Sequence, residues 1–412
     1  MEISNEKLLE AAELFGTPCY FYDRRLIERQ YIMLRDGLSD VDIFYSLKAN
    51  PNLMIAKLFN QLGAGVEVCS GVELETALRA GFSPDNIIFV GPTKKTADIV
   101  TALNHRIYAI VCESKEEVTQ IDALAKARNE IAYIAIRVNP AFRVREASLK
   151  MGGIPSQFGI DQEELFGDKS FFLAKKNLII RGIHVFNGTR ILNAAAFVEN
   201  TQKIVELVKE LEEAWRISFS LIDVGGGIGV PYFKNEKEFP VSELKKLIPM
   251  LRSYASTRII LESGRYLTAD AGVFMTRIES IKTSRGVQFL ITDGGMNCHL
   301  TAAGYGSLLK RNFPMRLLTK RKPTQYHRYH ITGPLCTPAD TIGQHVELPE
   351  AKRGDYIAIL ASGAYGPTAS PVLFLGHGYP AEVFCDDEKL HLIRERDTGD
   401  DFLRKQRSFC LT

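Results

Sequence analysis

The sequence predicts an α/β chain, a (β/α)8 TIM barrel joined to a second, mainly antiparallel β-sheet domain. Three observations predict it. Eight short β-branched or aromatic runs recur across residues 41–265, helical periodicity fills most of the segments between them, and beyond Gly272 the pattern changes to alternating runs separated by turn residues. Near-continuous apolar strands alternating with helices mean parallel strands covered on both faces. Eight such units form a barrel of about 250 residues.

The strand runs are Asp42–Leu47, Gly65–Val68, Ile87–Val90, Tyr108–Val111, Ala132–Val138, Ile179–Val185, Phe219–Val224 and Arg258–Leu261. The helical segments are Leu53–Leu62, Val72–Ala80, Thr96–Leu103, Lys115–Lys126, Ala194–Trp215 and Ser242–Tyr254, and Ala141–Leu173 is less regular. After Gly272 the runs VFMTRIESI, FLITDG, YHRYHITG, YIAILAS, AEVFCD and KLHLIRER read as antiparallel strands. The early run Cys19–Tyr22 precedes the barrel and is expected to join that sheet. The expected domains are residues 25–268 for the barrel and 1–24 plus 269–412 for the sheet.

Bulk properties narrow the function classes. The 412 residues are too many for one ordinary core, and 45% hydrophobic with 24% charged residues is a globular composition. A formal net charge of +2 gives no global field favouring nucleic acid. No apolar run reaches the roughly 20 residues that span a bilayer. The acidic, amphipathic start MEISNEKLLEAAELF is unlike a signal peptide, so a cytoplasmic protein without membrane partners is expected. The seven cysteines (Cys19, Cys69, Cys112, Cys298, Cys336, Cys385 and Cys410) are widely spaced with no CxxC pair. They suggest neither a disulfide framework nor a zinc site. His327 and His330 read as ordinary strand residues, and no metal is expected.

Barrel enzymes place their chemistry at the C-terminal ends of the strands. In order, these ends carry Lys48, Ala49 and Asn50; Glu67, Cys69 and Ser70; Gly91, Pro92 and Thr93; Cys112 and Glu113; Arg137 and Asn139; His184; Asp223 with the glycine run 225–227; and Glu262, Ser263, Gly264 and Arg265. Any one loop is polar anyway, but a lysine, a histidine, an arginine, two glutamates and a glycine run on one rim make a site. Lys48, behind apolar neighbours, either reaches into water or loses solvation and becomes a nucleophilic amine. The run Gly225-Gly226-Gly227-Ile228-Gly229 is either a tight turn or a backbone cradle for phosphate. Its place beside Gly264 and Arg265, at the phosphate corner of such barrels, favours the cradle. His184, at the rim, suits stacking on a flat ring. A buried Glu262 needs a partner, which a protonated pyridine nitrogen would supply.

At this point the chain resembles the alanine-racemase-fold, pyridoxal-phosphate-dependent decarboxylases, the group of diaminopimelate, ornithine and arginine decarboxylases. The resemblance runs nearly end to end. It rests on YSLKANPN at 45–52, GVEVCSGVELE at 65–75, IRVNP at 136–140, HVFNGT at 184–189, DVGGGIG at 223–229, LESGR at 261–265, DGGMN at 293–297, GPLCTPAD at 333–340 and SGAYG at 362–366. It implies that Lys48 holds pyridoxal 5'-phosphate as a Schiff base, that His184 stacks on the ring and that Glu262 keeps its nitrogen protonated. Gly226, Gly227, Gly264, Arg265 and Tyr365 would surround the phosphate, with Glu67, Arg137 and Asn187 lining the pocket. Cys336, from the partner subunit of a homodimer with shared active sites, would protonate the carbanion left by decarboxylation.

Three departures from the family pattern stand out. Ser263 replaces the usual proline before Gly264, and Asn187 brings an amide where a hydroxyl is usual. Thr337, not an acid, follows Cys336, and the nearest acid is Asp340. A buried distal ammonium without a carboxylate would cost several kcal/mol, so a plain diamino acid substrate is disfavoured. Thr337, Asp340 and Arg311 are expected at the substrate. GPLCTPAD with SGAYG, SPV and FLGH looks most like the specialised branch that includes the butirosin-type glutamyl-carrier-protein decarboxylase and the decarboxylases of citrate-type siderophore pathways. The segment Leu309–Lys322, with Lys310, Arg311, Arg316, Lys320, Arg321 and Lys322 and no acid, is either a solvated loop or a docking patch for an acidic carrier protein. The competing readings are diaminopimelate decarboxylase, a racemase on the same barrel, and a catalytically silent pyridoxal-phosphate-binding regulatory homologue.

Overall fold

The structure is a computed structural model that describes residues 3–143, 149–150, 152–304, 311–322 and 325–409. Cys410 and Lys310 lie outside these residues. The chain divides into two compact units, Gln30–Pro231 with Lys237–Tyr266, and Met1–Arg29 with Tyr232–Glu236 and Leu267–Thr412. The segment Tyr232–Glu236, expected inside the barrel, belongs with the sheet unit. Within that unit the Tyr232 and Phe233 rings lie 4.7 and 6.4 Å from Phe313.

The first unit is a closed parallel barrel. Its strands are β1 (Asp42–Ser46), β2 (Gly65–Val68), β3 (Ile87–Phe89), β4 (Ala109–Cys112), β5 (Ala132–Asn139), β6 (Leu178–His184), β7 (Leu221–Asp223) and β8 (Arg258–Ser263). They pair in the order β4-β3-β2-β1-β8-β7-β6-β5, and β4–β5 pairing closes the ring. Phe44, Ile88, Val90, Tyr108, Val111, Leu221 and Ile260 pack together as one buried core. The helices begin where side-chain caps predict. Asn52, Ser70, Ser114 and Asn193 each accept a bond from a first-turn amide of the helix that follows. Ala194–Trp215 is one continuous helix. Ser242–Tyr254, expected as one too, is broken into Val241–Leu247, Ile248–Leu251 and Arg252–Tyr254, the outer two being 3-10 turns. Pro249 has no amide to donate, so an α-helix cannot run through it unbroken.

Two arginines close the N-terminal end of the barrel. The Arg258 guanidinium donates to Asp42, Asn86 and the Asp85 carbonyl, and lies 4.6 Å from the centre of the Tyr108 ring. Arg181 lies 4.2 Å from Tyr108 and 4.1 Å from Tyr133. Further up, the buried Lys94 ammonium donates to the carbonyls of Gly91 and Val111 and to Glu117. All three of its protons are matched, so it ties the ends of β3 and β4 together as a structural lysine.

The second unit is a sheet in the order Thr341–Pro349, Tyr326–Thr332, Val287–Thr292, Gly272–Ser284, Cys19–Asp23, Ala381–Asp386 and Lys389–Arg394, with Tyr356–Ile359 and Met315–Leu318 paired off that path. Most neighbours are antiparallel. Two pairs are parallel, Val287–Thr292 with Tyr326–Thr332 and Cys19–Asp23 with Ala381–Asp386. The early run Cys19–Asp23 does join this sheet, buried along its whole length. Among the described residues no helix is long and apolar enough to cross a membrane.

Candidate active site

The C-terminal rim of the barrel gathers the polar residues that its strands carry. After β1 the chain tightens into the 3-10 turn Leu47–Ala49, which presents Lys48. The Lys48 ammonium donates to both oxygens of Glu67, at 2.7 and 3.0 Å, and lies 5.5 Å from the centre of the Phe186 ring. Glu67 is fully buried on β2 and also accepts from the hydroxyl of Ser46 and, at 2.9 Å, from the thiol of Cys69. Burial and the adjacent Glu67 carboxylate push the Cys69 thiol well above its ordinary range. Cys69 is therefore a donor rather than a nucleophile. Glu73, one turn into the next helix, accepts from the Cys69 amide, and burial raises its carboxyl to about 7.

On the far side, His184 ends β6, Asp223 ends β7 and Glu262 lies on β8. His184 and Asp223 are register partners, and Glu262 stands two residues past Ile260, the partner of Asp223 on β8. The strand period of two therefore turns all three to one face. His184 Nε2 lies 3.2 Å from Glu262 Oε1. Burial alone would raise the Glu262 carboxyl, but the positive charges of His184, Lys48 and Arg137 bring it below its ordinary value. Asp223 behaves oppositely. Burial and the Glu262 charge push its carboxyl well above the carboxylate range, and the bond from the Gly225 amide offsets only part of this. Arg137 is held on β5 by Glu113 at 2.9 Å and stacks on Phe158 at 4.6 Å. Asn187 donates to Asn200 at 2.8 Å.

The glycine loop after β7 is fixed by its own bonds. Gly225 donates to Asp223, its carbonyl accepts from the Glu262 amide, and the Gly227 carbonyl accepts from Ile191. A side chain at 226 would meet the Glu262 carbonyl at 2.1 Å, and at 227 the φ of +105° and the Gly188 carbonyl at 2.2 Å exclude one. Among the described residues the Gly226 and Gly227 amides have no partner. A Cβ at Gly264 would lie 2.9 Å from the Ser46 carbonyl, so the LESGR turn packs directly on the turn that carries Lys48.

These residues suit a phosphorylated pyridine aldehyde. The unpartnered amides offer phosphate donors, the buried ionised Glu262 suits a cationic ring nitrogen, and the amine of Lys48 is at the rim. The match to the family model supplies the decision. The model for the pyridoxal binding domain of pyridoxal-dependent decarboxylases covers residues 24–269. The chain belongs to the pyridoxal-dependent decarboxylases. It is similar to the L-glutamyl-[BtrI acyl-carrier protein] decarboxylase of Niallia circulans, at 38% identity over 98% of this chain and 97% of that protein. It is also similar to the diaminopimelate decarboxylase of Aquifex aeolicus, at 31% identity over 97% and 93%. The solved diaminopimelate decarboxylase of Helicobacter pylori complexed with L-lysine superposes with a TM-score of 0.88 at 29% identity, over 96% of this chain and 98% of that one. This decarboxylase is a carboxy-lyase with pyridoxal phosphate as its cofactor.

The rim brings together Lys48, Glu67, His184, Glu262, Arg137 and the glycines. The remaining expected site residues, Cys336, Thr337, Asp340, Arg311 and Tyr365, belong to the sheet unit. There Cys336 is exposed and Tyr365 is half-buried, with a φ of +54° that is uncommon for a side-chain-bearing residue. Asp340, expected at the substrate, is engaged by the backbone of its own unit. It is 2% exposed, and its oxygens accept from the amides of Met296 (2.6 Å) and Leu335 (2.7 Å). A buried carboxylate so engaged holds the GPLC turn in shape.

The basic run is also less free than its sequence suggests. It contains the strand Met315–Leu318, Lys320 pairs with Glu13, and Arg321 holds Asp355. Arg311 is exposed, 5.2 Å from the Phe233 ring centre. Residues that sequence reasoning left without a role are Asp223, Cys69 and Ser46. For Cys69 the signal was available, since it stands two residues from Glu67 on β2 and so shares its face.

Proposed function

We propose that this decarboxylase acts on an amino acid attached to a larger group, with glutamate on an acyl carrier protein as the first candidate, and works as a cytoplasmic homodimer with shared active sites. The observation that carries this reading is the engagement of Asp340 by two backbone amides. With Thr337 beside Cys336, the GPLCTPAD turn then offers no free carboxylate to balance a distal ammonium, and an unbalanced buried charge would cost several kcal/mol. The identity to the carrier-protein-dependent relative, 38%, against 31% to the diaminopimelate decarboxylase of Aquifex aeolicus, points the same way. The cysteines among the described residues are unpaired, which suits a reducing compartment.

In this reading Lys48 would carry the cofactor's aldehyde carbon. Gly226, Gly227, Gly264, Arg265 and Tyr365 would hold the phosphate, and His184, Asn187, Arg137 and Glu67 would line the ring. Pyridoxal phosphate, when bound, supplies the electron sink that takes up the pair left at Cα as CO2 departs. Glu262, kept ionised by His184, Lys48 and Arg137, holds a proton on the ring nitrogen. Glu67 receives the protons of Lys48 Nζ and fixes the amine at the rim. Cys336 of the partner subunit would return a proton to Cα, the role of a positioned acid.

The test offers the loaded enzyme glutamyl-carrier protein, free glutamate, diaminopimelate and lysine, and follows CO2 loss by mass. Turnover of the carrier-bound substrate well above the free ones is expected. Efficient turnover of free diaminopimelate with none of the carrier-bound form would replace this reading with diaminopimelate decarboxylation. Racemisation without CO2 release would replace it with a racemase.

A further inference from the structure

Three polar side chains meet on the inner face of the barrel at the ends of β6, β7 and β8. His184 is 1%, Asp223 0% and Glu262 2% exposed, and one ligand-type atom from each lies within 4.8 Å of the others. The charges facing them come from four neighbouring elements. Lys48 from the β1 turn is bound to Glu67 of β2, and Arg137 of β5 is bound to Glu113 beyond β4. Each of those cations already has its own anion. Two carboxylates are left to share one histidine.

A pocket closed to water holds two adjacent carboxylates in charged form only at large cost, so one of them keeps its proton. Geometry decides which. Glu262 Oε1 is the atom in contact with the histidine. Asp223 makes no ion-pair contact among the described residues, although the Lys48 charge acts on it from a distance. One of its oxygens accepts from the Gly225 amide, and the other, Oδ2, has no partner among the described residues.

We propose that Asp223 is a positioning residue that stays a neutral carboxylic acid at physiological pH and leaves Glu262 as the single anion of the pocket, the one that faces the cofactor's ring nitrogen. The direction in which burial and the Glu262 charge move the Asp223 carboxyl agrees with this. Asp223 keeps its own negative charge out of the pocket while its Oδ1 pins the start of the glycine loop. This is independent of which amino acid the enzyme takes.

The test begins with the cofactor-free wild-type protein carrying 13C-labelled aspartate, read by infrared difference spectroscopy at neutral pH. A carboxylic-acid carbonyl band is expected that is absent from Asp223→Asn. No such band in the wild type, or a band that persists in Asp223→Asn, overturns the proposal. If Asp223→Asn does not fold, Asp223→Ser takes its place in the comparison, and a wild-type spectrum without the band overturns the proposal by itself. A second reading is affinity. Asparagine is neutral and keeps an acceptor oxygen, so Asp223→Asn binds pyridoxal phosphate within about twofold of wild type and keeps its visible band. Glu262→Gln, which removes the anion, weakens binding about tenfold or more and shifts the pH dependence of the band. A tenfold loss of cofactor affinity in a folded Asp223→Asn protein would mean that Asp223 is charged, and would end the idea.

Discussion

The two ends of the barrel solve opposite problems with the same residue types. At the N-terminal end the charged groups are matched. Arg258 bonds three acceptors and stacks on Tyr108, and Arg181 lies between Tyr108 and Tyr133. At the C-terminal end His184 Nδ1, Asp223 Oδ2 and Ser263 Oγ are buried without partners among the described residues, and two carboxylates crowd one histidine. Matched polar groups hold a fold together, whereas buried groups left unmatched cost stability and are kept where a ligand or a reaction needs them. The barrel is therefore closed at one end for stability and left with unfilled valences at the other for chemistry.

Substitutions at the two ends should separate activity from stability. The largest effect belongs to Lys48→Ala, which should lower CO2 release by about a thousandfold or more and abolish the visible cofactor band, with a melting temperature that shows the protein still folded. A Lys48→Ala protein that retained the band would break the comparison at its active end. Next comes the pH dependence around Glu73. Its carboxyl is raised from the ordinary 4.5 to about 7 by burial, so the folded protein binds more protons than the unfolded chain across that window. Stability should fall as pH rises through it, by up to about 3 kcal/mol, and Glu73→Gln should flatten the slope in denaturant titrations at several pH values.

At the closed end, Arg258→Ala should cost about 2 kcal/mol in urea unfolding while kcat measured well below the melt stays within about twofold. Arg181→Ala should cost about 1 kcal/mol, the value of a partly exposed arginine on aromatic faces. A large loss of kcat in either variant, with the protein still folded, would show that the two ends are coupled rather than divided.

Much of this was legible in the sequence because periodicity and strand-end position are local signals. Gly65–Val68 and Ala194–Trp215 have the limits their patterns predict. The rim residues follow from where each apolar run stops. Tertiary decisions were harder to read. Met315–Leu318 and Thr341–Pro349 carry little alternation, and the first lies within a run whose lysines and arginines dominate its appearance. Asp340 sits close to Cys336 in sequence and looks like a substrate contact, yet the fold turns it inward to two amides. Lys94 and Lys48 both follow strands at the same rim, and only the carbonyls around Lys94 mark it as structural. Which of two buried acids keeps its proton depends on neighbours from three strands, and no window of sequence contains them.

The strand Cys19–Asp23 lies between Gly272–Ser284 and Ala381–Asp386. As the chain is synthesised, this segment is made before the barrel, one neighbour directly after the barrel, and the other only at Ala381–Asp386. Every strand of the barrel is made in the interval. The barrel can thus close on itself during translation, while an apolar strand stays unpaired until Gly272–Ser284 is made and keeps one open edge until Ala381–Asp386 follows. Such delayed, long-range pairing is slow and leaves a sticky edge exposed. Truncation just before Ala381 should leave a chain whose barrel is formed but whose early strand lacks one edge, open to aggregation.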